Sequence, residues 1–325
     1  MRHLLPVLLL AAGAAAGLLL GAEMPGPAAL WRAVTDAGDP FGQLILHWRL
    51  PRVLAAGLVG AGLGLAGAIF QGVFRNPLAE PYLLGSAPGA AVGAAIALLV
   101  ALPLPQMLAL PVLAFAGAWG ASWAVIGLAR LARIVDAAGL LLVGIAVAAL
   151  LGALRSLLLL ALSDETVNLQ AVLSWTLGGI QTPGWGDLGL LALLTSGSLV
   201  LALGLARGLD LLGLGDEVAA NMGLPVRPFL GRAVLIAAAI TAVAVAWGGL
   251  VGFVGLIVPH VARWIAGPAH RGLLVHAAIG GAALLMAMDG LARALLPPAE
   301  IPLGLLTAVV GAPFFLLVLW RRGRA

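Results

Sequence analysis

The run PYLLGSAPGAAVGAAIALLVALPLPQMLALPVLAFAGAWGASWAVIGLA, Pro81 to Ala129, holds 49 residues without one Asp, Glu, Lys or Arg. A soluble domain is roughly a quarter charged, so this stretch cannot supply an ordinary water-facing surface. About 20 apolar residues cross a bilayer as a helix, because a helix satisfies its own backbone where no water can. The run is long enough for two crossings. Leu102-Pro103-Leu104-Pro105 falls near its middle, and proline there ends one helix and opens a turn. The stretch reads as a transmembrane hairpin. The remaining chain is similar in character: of 325 residues 62% are hydrophobic and 9% charged, with a mean hydropathy of +1.13. The expected class is an all-α polytopic membrane protein.

Outward from the hairpin spans 86–102 and 107–129, further charge-poor runs lie near 4–22, 53–72, 138–162, 187–206, 229–250, 252–266, 272–294 and 303–320. That makes about ten spans, the run at 252–266 being the shortest. The first run is longer than the apolar part of a cleavable leader and reads as a span. Ten spans place both termini on one side. With that side inside, Arg2, Arg75, Arg130, Arg133, Arg207, Arg227, Arg232, Arg263, Arg271, Arg321, Arg322 and Arg324 are inner, whereas Arg32, Arg49, Arg52, Arg155 and Arg293 are outer. Twelve against five gives cytoplasmic termini by the positive-inside rule. The expected location is the bacterial cytoplasmic (inner) membrane, as one transmembrane domain over residues 1–325.

Composition removes several function classes. All 17 basic residues are arginine, and a phosphate-binding P-loop needs lysine; any ATP must be hydrolysed by another chain. Without cysteine there is no thiolate ligand or nucleophile, and neither HExxH nor GxSxG occurs. No catalytic residue, metal ligand or bound cofactor is expected. The pI near 11.1 comes from arginines scattered at membrane edges and does not imply nucleic acid. Gly57, Gly60, Gly64 and Gly67 follow 3-4-3 spacing on one helix face, which lets backbones approach closely where lipid removes the hydrophobic drive.

One internal segment is polar out of proportion: LLGLGDEVAANMGLPVRP, Leu211–Pro228. Asp216 and Glu217 sit where a helix N-terminus favours negative charge. EVAANM supports a turn of helix, Gly223 fits its C-terminal stop, and Pro225 and Pro228 separate it from the next span. A short amphipathic helix on the cytoplasmic face is expected.

This segment occurs with RLPRVLAAGLVGAGLGLAGAIFQGVFRNPLAEPYLLG (Arg49–Gly85), GGLVGFVGLIVPHVAR (Gly248–Arg263) and MDGLARALLPPAEIPLGLLTAVVGAPFF (Met288–Phe315). In this order and spacing the four resemble the FecCD-type permeases, the membrane subunits of ABC importers for ferric siderophores, haem and cobalamin. The resemblance implies ten spans with cytoplasmic termini, and a second permease copy with which the chain pairs as a homodimer. It also implies two ATPase subunits, which use ATP and Mg, and a periplasmic or extracellular substrate-binding protein.

The loop at about 207–228 would be the coupling element in a cleft of the ATPase. Asp216, Glu217, Ala219, Ala220, Asn221, Met222 and Gly223 match it, the two alanines permitting close docking. Arg49, Arg52 and Arg293 match arginines that meet acidic residues of the binding protein. Membrane-edge arginines also snorkel to lipid phosphates, and Arg293 could instead pair with Asp289 at i, i+4.

Arg155 lies among leucines, where a charge is costly and marks a functional site by default. In the family the fifth and tenth spans line the pathway, so Arg155 is a pathway candidate facing an anionic cargo. Snorkelling, with pairing to Asp164 or Glu165, is the other reading. His260 beside Pro259 reads as a packing residue, and RNPLAEP (Arg75–Pro81) as a structural inner loop. A short outer helix at about 168–178 matches one beside the family's outer gate. The rival from another class is an ion-coupled secondary transporter working without an ATPase. It needs intramembrane acids or broken helices as ion sites; Asp289 is the sole mid-to-outer candidate, and no inverted repeat is evident.

Overall fold

The computed structural model describes residues 4–134, 137–162 and 167–322, apart from residues 22, 25 and 37. Every regular element among them is helical. In chain order they are α1 (Leu4–Leu19), α2 (Pro27–Thr35), α3 (Pro40–Leu44), α4 (Leu50–Val73), α5 (Ser86–Leu99), α6 (Gln106–Leu131), α7 (Ala137–Leu162), α8 (Val167–Thr176), α9 (Trp185–Leu212), α10 (Asp216–Asn221), α11 (Val226–Gly248), α12 (Val254–Ala266), α13 (His270–Ala294) and α14 (Leu303–Arg322). A π turn at Ile45–Arg49 carries α3 into α4, and a 3-10 turn at Pro81–Leu84 precedes α5.

Each of the ten expected runs meets a helix. Seven stretches are long and apolar enough to cross a bilayer: Gly42–Val73, Met107–Leu131, Gly139–Leu162, Trp185–Leu212, Val226–Gly248, His270–Ala294 and Leu303–Trp320. The stretches Leu5–Leu19, Ser86–Leu99 and Val254–Ala266 are shorter. At about 1.5 Å rise per residue, the last two fall well short of a hydrocarbon core of about 30 Å. Their shortness has a local cause. Gly85, at φ 74°, turns the chain immediately before α5, and Gly249 and Phe253, at φ 62° and 66°, break it before α12. Gly85 and Gly249 lie just ahead of the expected runs at 86–102 and 252–266 and stop either helix from extending backwards, and Phe253 falls inside the second. The sequence reading also passed over α2, whose Ala29 and Ala33 pack on Ile45.

α4 is the central post. All but a few of its residues are buried, with α13, α11, α9 and α12 around it. The glycine face expected from spacing is the one that meets these neighbours. A Cβ on Gly60 would stand 2.1 Å from the Gly281 carbonyl oxygen, on Gly64 2.3 Å from that of Ala277, and on Gly67 1.9 Å from that of Gly255. Helix backbones are therefore in direct contact along this seam, the packing mode that operates in lipid. α7 is the opposite case. Leu142, Ile145, Leu150, Leu157 and Leu160 are all exposed, and α14 likewise exposes Val309, Leu316 and Trp320.

Candidate functional site

α9 and α11 are joined by the expected polar segment, and α10 lies within it. Gly215, at φ 106°, opens α10, and Asp216 and Glu217 occupy its first turn. Its end is a Schellman stop: Leu224 N–H donates to the Ala219 carbonyl at 2.9 Å, and Gly223, at φ 86°, donates to Ala220 at 2.9 Å. Asp216, Glu217, Ala220, Asn221, Met222 and Gly223 are exposed. Ala219 departs from its expected place. It is 0% exposed, turned onto the bundle, and so it seats α10 and has no surface to offer a partner. Val218 and Met222 present apolar side chains outward beside the carboxylates. Val218 escaped the sequence reading because one more valine is no signal in so apolar a chain.

Arg75 reaches α10 from the loop after α4 and pairs with Asp216. That contact spans 141 positions, and nothing local in RNPLAEP announces it. The same loop also holds the break between α11 and α12. The Glu80 carboxylate accepts the Phe253 N–H at 2.8 Å, while the Tyr82 hydroxyl donates to the Val251 carbonyl at 2.9 Å and accepts its N–H at 3.1 Å. Burial pushes the Glu80 carboxyl above the ordinary carboxylate value, and the Phe253 amide draws it partly back. Close by, Asp210 at the end of α9 accepts the His270 backbone N–H at 2.8 Å and lies 2.7 Å from its Nδ1, which ties α9 to the start of α13. This end of the bundle is thus a cross-braced platform carrying α10.

At the opposite end of α4, the structure brings Arg49, Arg52 and Arg293 together. Arg49 donates to the carbonyls of Leu18 and Glu23, both at 3.0 Å. Arg52 Nε donates to Asp289 Oδ1 at 3.1 Å, while its two Nη groups donate to Glu300 Oε1 and Oε2 at 3.0 and 2.7 Å. Arg293 Nε donates to Asp289 Oδ2 at 3.0 Å and Nη2 to the Gly17 carbonyl at 2.6 Å. Of the two readings of Arg293, pairing with Asp289 is the one observed. Its side chain is 8% exposed, so its guanidinium is used inside the chain and is withdrawn here from the docking set. Asp289, 1% exposed, is shared by two arginines.

Removing one member of a buried ion pair leaves uncompensated charge, at about 3–5 kcal/mol. Asp289→Asn is therefore expected to lower the unfolding temperature of the purified protein markedly, read by intrinsic-tryptophan melting. An unchanged melt would mean that the cluster is solvated and contributes little.

Arg155 sits on α7 between exposed leucines, with a buried Nε that finds no partner among the described residues. Asp164 and Glu165, its alternative partners, lie outside the described residues. His260 packs edge-on against Trp264 and Phe314, at ring separations of 5.0 and 5.7 Å. α8 forms where a short outer helix was expected, and its C-terminal end is pinned on two sides. Gly179 N–H donates to Gly248 at 3.1 Å, and Leu303 N–H donates to Gly178 at 2.9 Å.

With helices alone among the described residues, seven of those stretches apolar and of membrane length, and a braced polar helix between two of them, the chain is a multi-pass membrane protein. The model of the FecCD transport family matches residues 8–321. The chain is 41% identical over 296 residues to the hemin transport system permease protein HmuU of Yersinia pestis, covering 90% of this chain and 87% of that one. It is 39% identical over 294 residues to the Fe(3+) dicitrate transport system permease protein FecD of Escherichia coli (strain K12), covering 90% of each. A solved inward-facing conformation of a metal-chelate type ABC transporter superposes with a TM-score of 0.82 at 31% identity, covering 97% of both chains. The chain belongs to the FecCD transport family and is a permease of the ABC importer kind.

Proposed function

We propose that the chain crosses the bacterial cytoplasmic membrane ten times, with both termini inside, and that two copies enclose a pathway for a bulky metal chelate. The observation that carries this reading is α10, a capped and braced helix with exposed carboxylates in a chain otherwise poor in charge. Such a handle suits an ATPase cleft, and a chain without a P-loop needs one. Two ATPase subunits bind the segment at about 207–228, with Asp216, Glu217, Ala220, Asn221, Met222 and Gly223 as the contact surface, and supply ATP and Mg chemistry that this chain lacks. Val218 joins that surface. A soluble binding protein docks outside on Arg49 and Arg52, and α8 is the gate helix beneath it.

The uncovered leucine faces of α7 and the outward side of α14 support pairing with a second copy. The names of the relatives support haem or a ferric carboxylate chelate as cargo, with other ferric siderophores and cobalamin as the remaining family choices. Arg155, on α7, suits an anionic one. Such a subunit contributes no chemistry of its own; it passes ATP-driven motion between inward-open and outward-open states.

Uptake into proteoliposomes holding the permease and its ATPase tests the reading, with labelled haem, ferric dicitrate and cobalamin offered outside together with the binding protein. One chelate should accumulate only when ATP is enclosed. Accumulation that follows a proton or sodium gradient and ignores ATP would favour the ion-coupled transporter instead.

A further inference from the structure

Arg52 is held by two carboxylates of very different character. Asp289 is buried at 1% exposure and already serves Arg293, whereas Glu300 is 50% exposed. Glu300 takes both Nη groups of Arg52 in a fork at 3.0 and 2.7 Å, the geometry in which a carboxylate and a guanidinium match best. It occupies the accessible side of the very guanidinium assigned above to the binding protein. Three arginines (Arg49, Arg52, Arg293) and three acids (Glu23, Asp289, Glu300) also gather here, so the patch as folded carries little net positive field to attract an acidic partner.

We propose that Glu300 is an internal stand-in for a binding-protein carboxylate, occupying Arg52 until docking displaces it. It thereby sets how tightly the partner binds and how readily it leaves. This rests on the docking reading of Arg52. Displacement is feasible because one carboxylate replaces another on the same guanidinium, so that the fork given up by Glu300 is regained with the partner. Asp289 keeps the guanidinium oriented while the exchange occurs. The displaced residue is also a lever. Glu300 lies three positions before Leu303, whose N–H donates to the Gly178 carbonyl at 2.9 Å, and Gly304 N–H donates to Leu177 at 3.1 Å. Freeing Glu300 loosens the strap that leads from α13 into α14 and pins the end of α8. Docking outside is thereby felt at the proposed gate helix.

The test uses the permease–ATPase complex in nanodiscs and its own binding protein, with association and dissociation followed by interferometry for wild type, Glu300→Gln, Glu300→Asp, Arg52→Gln and the Arg52→Gln/Glu300→Gln pair, each first matched for size-exclusion profile. Removing a competing charge should slow dissociation of Glu300→Gln by roughly threefold to tenfold. Glu300→Asp, with its shorter reach, should fall between. The gain should vanish in the double variant, and Arg52→Gln alone should weaken binding. If Arg52→Gln weakens binding while Glu300→Gln leaves it unchanged or weaker, the stand-in is overturned and the docking reading survives. If Arg52→Gln has no effect, both fall. Hydrogen exchange at residues 296–304 of the wild type should rise when the binding protein docks; an unchanged rate there overturns the displacement step.

Discussion

Gly67→Val is expected to yield no folded permease. A Cβ at this position would lie 1.9 Å from the Gly255 carbonyl oxygen and 2.6 Å from that residue's carbonyl carbon and Cα. The obstacle is backbone at the head of α12, not the end of a flexible side chain. Overpacking a well-filled interior typically costs about 1–3 kcal/mol when side chains can shift, and here α4 and α12 would have to separate. Separation would also pull Gln71 from the Gly255 and Leu256 carbonyls it bonds at 3.4 and 3.3 Å. Gly62→Ala on the same helix is the control. Its Cβ would meet Ala244 Cβ at 3.4 Å, an ordinary contact. Fluorescence-detected size exclusion of detergent extracts should show aggregate or no protein for Gly67→Val and a wild-type peak for Gly62→Ala. A normal Gly67→Val peak would mean that the seam between α4 and α12 is looser than the structure shows.

Asp216→Arg/Glu217→Arg is expected to reduce ATP-driven uptake to background while leaving the permease folded. Asp216 and Arg75 form a half-exposed pair, and such pairs contribute about 0–1 kcal/mol. Cations in the first turn of α10 oppose its dipole by a similarly small amount, about 0.3–1 kcal/mol each. Neither term can unfold a bundle whose packing lies elsewhere, and the buried Ala219 that seats α10 is untouched. The damage falls on the exposed face instead. An ATPase cleft that accepts two carboxylates would meet two guanidinium groups, and like charges across an interface cost several kcal/mol. Uptake should be lost together with assembly.

Much of this was legible from the residues. The uncharged hairpin, the helix positions and the glycine face of α4 follow from backbone satisfaction in lipid and from helical periodicity, both of which are local. The polar helix was legible because Asp216, Glu217 and Gly223 each sit where helix ends want them. What stayed hidden is long-range or geometric. Arg75 on Asp216 and Glu80 on Phe253 join segments far apart in the chain, and no periodicity encodes them. The inward turn of Ala219 is a matter of helix phase in a six-residue element, too short for a pattern. For Arg293 the sequence offered both docking and pairing with Asp289; only the packed structure decides for Asp289 and places α1 beside it, so that the Gly17 carbonyl accepts from it as well. Glu300 went unremarked because a glutamate in a proline-rich loop ordinarily faces water.

The most direct measurement is ATP hydrolysis and uptake by proteoliposomes carrying the permease co-purified with its ATPase, wild type against Asp216→Arg/Glu217→Arg. A stable wild-type complex that hydrolyses ATP and imports its chelate, and a folded double variant that retains neither the ATPase nor uptake, is the expected result. Equal assembly, hydrolysis and uptake in both would contradict the assignment of α10 as the point where ATP-driven motion enters this chain.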